Sequence, residues 1–111
     1  MDVERQVCEL LRPFGITNKH IGVSQLTLAL LILLEDPTSL HAVQKQIYMI
    51  IAERFCVNWK SIERNIRTLS TAAWRANPEY LELLAQYPLE KRPTSAQFME
   101  IMLQNIRMKQ A

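Results

Sequence analysis

Apolar residues recur every third or fourth position along most of this chain, and that period predicts helices. Val3, Val7, Leu10, Leu11 and Phe14 share one helical face, and Pro13 with Gly15 closes the first helix. A polar loop, Thr17 to His20, precedes a second helix from Gly22 to Glu35. That helix is apolar almost all round, which predicts a central, fully buried element. Asp36-Pro37-Thr38-Ser39 breaks the chain and supplies good helix-start residues. From Leu40 to Phe55 the period returns through Val43, Ile47, Ile50, Ile51 and Phe55. After four residues, Cys56-Val57-Asn58-Trp59, a further helix carries Ile62, Ile66, Leu69 and Ala73 on one face, and Asn77-Pro78 ends it. A short helix, Pro78 to Gln86, presents Tyr80, Leu81 and Leu84. Thr94-Ser95-Ala96-Gln97 is a capping box that opens the last helix, through Lys109, with Met99, Met102 and Met108 at core spacing. The predicted fold is all-α: one domain over residues 1–111, a bundle of about six helices.

Composition narrows the classes. Hydrophobic residues make up 49% of the chain and charged ones 22%, so it belongs with globular rather than disordered sequences. Two glycines and five prolines are too few for a many-turned β-fold. Cys8 and Cys56 stand far apart, as do His20 and His41, so no four-ligand metal cluster is expected. The cysteines read as reduced, buried thiols, and neither histidine has a partner pattern for nucleophilic catalysis. Glu79, Glu82 and Glu100 read as solvated faces. No constellation supports an enzyme. With no signal pattern, and with the apolar run Leu26 to Leu34 too short to span a bilayer, a soluble cytoplasmic protein is expected.

The informative stretch is Ile51 to Arg75. A helix-turn-helix needs a tight hinge, a small residue where its helices cross, and apolar residues around that crossing. Ala52 is the small residue, and Ile51, Phe55, Val57 and Ile62 are the apolar ones. Cys56 stands where glycine is usual, at a cost of roughly 1 kcal/mol if the backbone there is left-handed. Asn58 is the expected N-cap of the second helix. With Ile62, Ile66, Leu69 and Ala73 inward, the outer face collects Lys60, Arg64, Arg67 and Thr71, flanked by Ser61, Glu63 and Thr68. Arginine can fork onto a guanine edge, a carboxylate can accept from cytosine, and lysine and hydroxyls can hold phosphates. From Asn58 to Arg75 four basic residues face one acidic residue, a net +3, against +2 for the whole chain. The positive charge is therefore concentrated on this helix. The same pattern also fits a solvated amphipathic helix with ordinary surface charge.

Ile51-Ala52-Glu53-Arg54-Phe55, Ser61-Ile62-Glu63-Arg64-Asn65-Ile66-Arg67 and Ala72-Ala73-Trp74 together resemble the C-terminal effector domain of the stage zero sporulation master regulator. The likeness continues through Arg92-Pro93-Thr94-Ser95 and Phe98-Met99, and upstream through Gly22, Leu26 and Tyr48. It implies a six-helix DNA-binding domain of a response regulator from endospore-forming bacteria. Such a domain binds short promoter boxes, often as tandem copies, and communicates with the sigma subunit of RNA polymerase. By position, the resemblance puts Glu63 and Arg64 at base edges, Arg67 on DNA, and Lys60 and Ser61 at the entry of the recognition helix.

The chain departs from that pattern at several places. Met49 follows Tyr48 where the family usually has proline, so the segment is expected to run unbroken into the first motif helix. Trp59 and Lys60 replace smaller residues, and Asn65 replaces a small apolar one, so a different preferred box is expected. The loop Gln86 to Lys91 matches poorly, and no sigma contact is carried over there. Asp2 and Asp36 belong to no acidic cluster of the kind a phosphorylated receiver domain needs, so either an excised effector domain or a stand-alone one fits. Trp74 reads as a packing anchor, whereas Trp59 fits either packing or stacking on DNA. The competing class is a protein-interaction module of the same fold, which would prefer apolar residues where Lys60, Arg64 and Arg67 stand.

Overall fold

The computed structural model describes residues 2–35 and 44–110, and most of that length is helical, with no strand among the described residues. In chain order the helices are α1 (Val3–Leu11), α2 (Ile21–Glu35), α3 (Gln44–Phe55), α4 (Trp59–Ala76), α5 (Pro78–Ala85) and α6 (Ser95–Gln110), with a 3₁₀ turn at Arg12–Phe14 after α1. The expected break at Asp36 to Ser39, and Val43, lie outside the described residues. From Gln44 the helix continues through Met49 to Phe55 without a kink residue, as the missing proline predicts.

Local chemistry sets the ends of these helices. Asp2 caps α1 by accepting from the Arg5 amide at 3.2 Å. Gly15 closes the 3₁₀ turn at φ 75°, a conformation that glycine adopts without steric cost. Asn77 serves two helices: its amide donates to the Ala73 carbonyl, and its side chain accepts from the Tyr80 amide at 3.1 Å. The capping box forms as predicted. Thr94 N–H donates to Gln97 Oε1 at 2.9 Å, and Gln97 N–H donates to Thr94 Oγ1 at 3.1 Å.

The core is built around α2, which packs against α1, α3, α4 and α6. Leu26, Ala29, Leu30 and Leu33 are fully buried there, joined by Val7, Ile51, Ile66 and Met102 from the surrounding helices. The expectation that α2 is buried all round is not met. Ile21 and Leu31 are exposed, at 63% and 42%, and Leu28, Ile32 and Leu34 are only partly buried. A helix in a domain this small is covered on some flanks and open on others, and an almost uniformly apolar sequence does not show which.

Three further expectations are corrected. Ile50 is 54% exposed: Ile47, Tyr48, Ile51 and Ala52 form the buried stripe of α3, and at 100° per residue Ile50 points roughly 130° from its centre. Met108 is exposed in the last turn of α6, where the helix passes beyond the core, and its sulfur accepts from Gln86 Nε2 at 3.6 Å. Both thiols are free, but Cys56 is exposed in the turn after α3, and Cys8 is only partly buried because it lies within α1 off the buried stripe, its thiol donating to Asn18 Oδ1 at 2.8 Å.

Leu30 is the test of this core. Leu30→Ala is expected to lower unfolding free energy by about 2–5 kcal/mol through lost burial and a residual cavity. Chemical denaturation measures it, and a loss below about 1 kcal/mol would contradict the central position of α2.

Candidate nucleic-acid interface

Helices α3 and α4 are joined by Cys56–Asn58, one residue shorter than the predicted hinge because Trp59 already belongs to α4. Cys56 takes φ 57°, the left-handed conformation expected for glycine. Its amide donates to the Glu53 carbonyl at 3.3 Å, and the Val57 amide donates to the Ala52 carbonyl at 3.0 Å. This pair of bonds closes α3 in the Schellman manner and turns the chain sharply. Ala52 is buried beneath the turn, Ile51 and Ile62 are fully buried around it, and Phe55 is partly buried. Val57 does not join them. It is exposed, since the left-handed step at Cys56 points the next side chain outward.

Asn58 caps α4 as predicted, its side chain accepting from the Lys60 amide at 2.8 Å. Ile62, Ile66, Leu69 and Ala73 form the buried stripe, and Ser70 is buried beside them. This stripe rests on α2 at an unusually small separation. A Cβ on Gly22 would lie 2.8 Å from the Asn65 carbonyl oxygen and 3.0 Å from Leu69 Cγ. Beside it, Asn65 Nδ2 donates to Oε1 of the buried Gln25 at 3.0 Å. Gly22 sets the distance between the helices, and the Gln25–Asn65 bond gives the contact a preferred rotation.

That rotation turns the polar face outward. Lys60, Arg64, Arg67 and Thr68 are exposed, while Ser61, Glu63 and Thr71 are partly exposed. A shallow depression at the start of α4 brings together Asn58, Trp59, Lys60, Ser61, Glu63, Arg64 and Arg67. Arg67 Nη1 pairs with Glu63 Oε1 at 3.2 Å, an exposed i,i+4 contact of at most about 1 kcal/mol and so easily exchanged. No carboxylate pairs with Lys60 or Arg64 among the described residues. Thr68 and Thr71 donate their hydroxyl hydrogens back to the Arg64 and Arg67 carbonyls, at 2.9 and 3.0 Å. Trp59 is half-buried against the core, with the ammonium of Lys45 5.1 Å from its ring centre and that of Lys60 at 6.0 Å. Both cations are therefore held near the start of the helix.

Residues 7–106 match the family described as sporulation initiation factor Spo0A, C terminal. The chain belongs to that family. That family is the DNA-binding effector domain of the sporulation regulator, and in this member α3, the tight turn at Cys56–Asn58 and α4 form a helix-turn-helix arrangement.

Within this Spo0A C-terminal domain, the residues that hold α4 in place were not found as a group from sequence. Gln25 lies in the most apolar helix, 40 positions from its partner Asn65, and no local period links them. Ser70 Oγ donates to the Pro93 carbonyl at 2.7 Å, and Tyr48 and Ser95 share a buried hydrogen bond of 2.9 Å. Burial pushes the Tyr48 phenol above its ordinary pKa, and the Ser95 bond offsets part of that rise. Tyr48 and Ser95 lay within the resembling segments, so the likeness marked them without giving a reason.

Two substitutions test this mounting. Gly22→Ala should force α2 and α4 apart at a cost of about 1–3 kcal/mol, outweighing a helix-propensity gain of up to about 1 kcal/mol. A lower unfolding midpoint is the expected result. Cys56→Gly should relieve the left-handed strain and raise stability by up to about 1 kcal/mol, read from the same denaturation curves.

Proposed function

We propose that this domain acts as one sequence-specific DNA-binding unit, laying α4 in the major groove of short promoter boxes. The observation that carries this is the exposed row of Lys60, Arg64 and Arg67 on a helix whose opposite face is fully buried. The turn leaves the first part of α4 accessible, and the row carries cations that other side chains of the domain barely neutralise. Arg64, at mid-face with no ion pair among the described residues, reads a base edge with its donor fork. Glu63 and Arg67 separate from each other to contact bases and backbone. Lys60, with Ser61, Thr68 and Thr71 beside the groove, holds phosphates. Asn58 spends its side-chain oxygen on the helix cap and so contributes chiefly by fixing where α4 begins.

Family membership supports extending the proposal to regulation of sporulation promoters, with tandem copies on neighbouring boxes and contact with an RNA polymerase sigma subunit. A protein-interaction module is disfavoured by the absence of large apolar side chains along the outward row of α4. Selection of bound sequences from a random DNA pool at stated salt would define the box. The affinity should fall with salt by roughly 0.9 log units per log unit for each phosphate neutralised, and a flat dependence would sink the DNA-binding reading.

Two variants divide base reading from backbone holding. Arg64→Ala should weaken the selected box by about 1–3 kcal/mol more than a scrambled duplex, because the wrong base already leaves the arginine donors unpaired. Lys60→Ala should weaken both duplexes alike and make the salt slope shallower by about one unit. Equal loss on both duplexes for Arg64→Ala would mean that another residue reads the base.

A further inference from the structure

Arg92 lies outside the helix-turn-helix, in the loop before α6, and this loop is tied to both motif helices. Pro93 accepts from the fully buried Ser70 of α4 at 2.7 Å, and Ser95 bonds the buried Tyr48 of α3 at 2.9 Å. Arg92 Nη1 itself donates to Thr71 Oγ1 at 2.9 Å. Thr71 gives its own hydrogen to the Arg67 carbonyl, so its hydroxyl has become a seat for the guanidinium. Thr71 is one helical turn beyond Arg67 on the outward face, so Arg92 extends the row of Lys60, Arg64 and Arg67 along the helix.

We propose that Arg92 is a further DNA-contacting residue, which holds a backbone phosphate beside the far half of the recognition helix. The proposal rests on the DNA-binding reading of α4. An arginine has five donors in a planar fork, and the Thr71 bond engages one nitrogen, leaving the other terminal nitrogen for a phosphate oxygen. Arg92 is exposed, and no carboxylate pairs with it among the described residues. The buried bonds at Pro93 and Ser95 order the loop before DNA arrives, so little side-chain and loop entropy is lost on binding. A role in folding alone accounts poorly for the arginine. The Ser70 and Tyr48 bonds already fix the loop, and the Arg92–Thr71 bond is exposed to water. A phosphate is favoured over a base because Arg92 approaches from beside α4 rather than from its groove-facing centre.

The test compares Arg92→Gln and Arg92→Lys with the unsubstituted chain, on the selected box and on a scrambled duplex, across a range of salt. Arg92→Gln should weaken both duplexes by the same factor, roughly threefold to fivefold, and make the salt slope shallower by about 0.9. Arg92→Lys should keep the slope, since it keeps the charge, and neither variant should change the melting temperature. An unchanged slope for Arg92→Gln would overturn the proposal. So would equal weakening by both variants accompanied by lower melting temperatures, which would make Arg92 a structural residue. If Arg64→Ala and Lys60→Ala still act as expected while Arg92→Gln is silent, only the Arg92 contact fails. If all three are silent, the DNA-binding reading of α4 fails with it.

Discussion

Helix α4 is carried by its contact with α2, and Gly22 allows that contact to be so close. Any larger residue there would meet the Asn65 carbonyl oxygen, an atom of the α4 backbone that cannot swing aside as a side chain can. Because α2 also packs against α1, α3 and α6, a change in its spacing to α4 would spread through the core. Close packing makes such interiors respond to a single methyl group. The Gln25–Asn65 bond adds direction to a contact that apolar packing alone would leave free to roll. A roll of one residue is about 100° and would carry most of the apolar stripe out of the core.

From this mounting the two faces of α4 acquire different roles. The inner face contributes stability through Ile62, Ile66, Leu69 and Ala73, all essentially inaccessible. The outer face contributes little to stability. Among the described residues its one ion pair, Glu63–Arg67, is open to solvent, and its threonine hydroxyls donate only to their own helix, with Thr71 also accepting from Arg92. Charges that the fold does not need are available to a polyanion. Asn58 connects the two faces, since its cap decides where α4 begins and therefore which residue turns outward first.

The turn shows how a motif can keep its geometry after losing its usual residue. Cys56 occupies a left-handed conformation in which glycine is strain-free, and two backbone bonds to Glu53 and Ala52 hold it there. The buried residues on either side, Ile51 and Ile62, compensate for a cost of roughly 1 kcal/mol. The same close fit continues on the far side of α4, where Ser70 and Tyr48 hold the segment that leads into α6.

Most of the architecture was legible in the sequence. The helical period located the helices, Asn58, Asn77 and the Thr94–Gln97 box marked ends, and inward positions of α4 followed from spacing alone. These features are local, set by neighbours three or four residues apart, so the order of residues is enough to determine them. The outward row of Lys60, Arg64 and Arg67 was legible for the same reason. The exposed flank of α2, the outward turn of Ile50 and Val57, and the seat of Arg92 on Thr71 were not. Each depends on which distant helix covers a given face, as does the meeting of Gln25 with Asn65, 40 residues apart. The period says which residues share a face, whereas only the packed chain decides what that face meets.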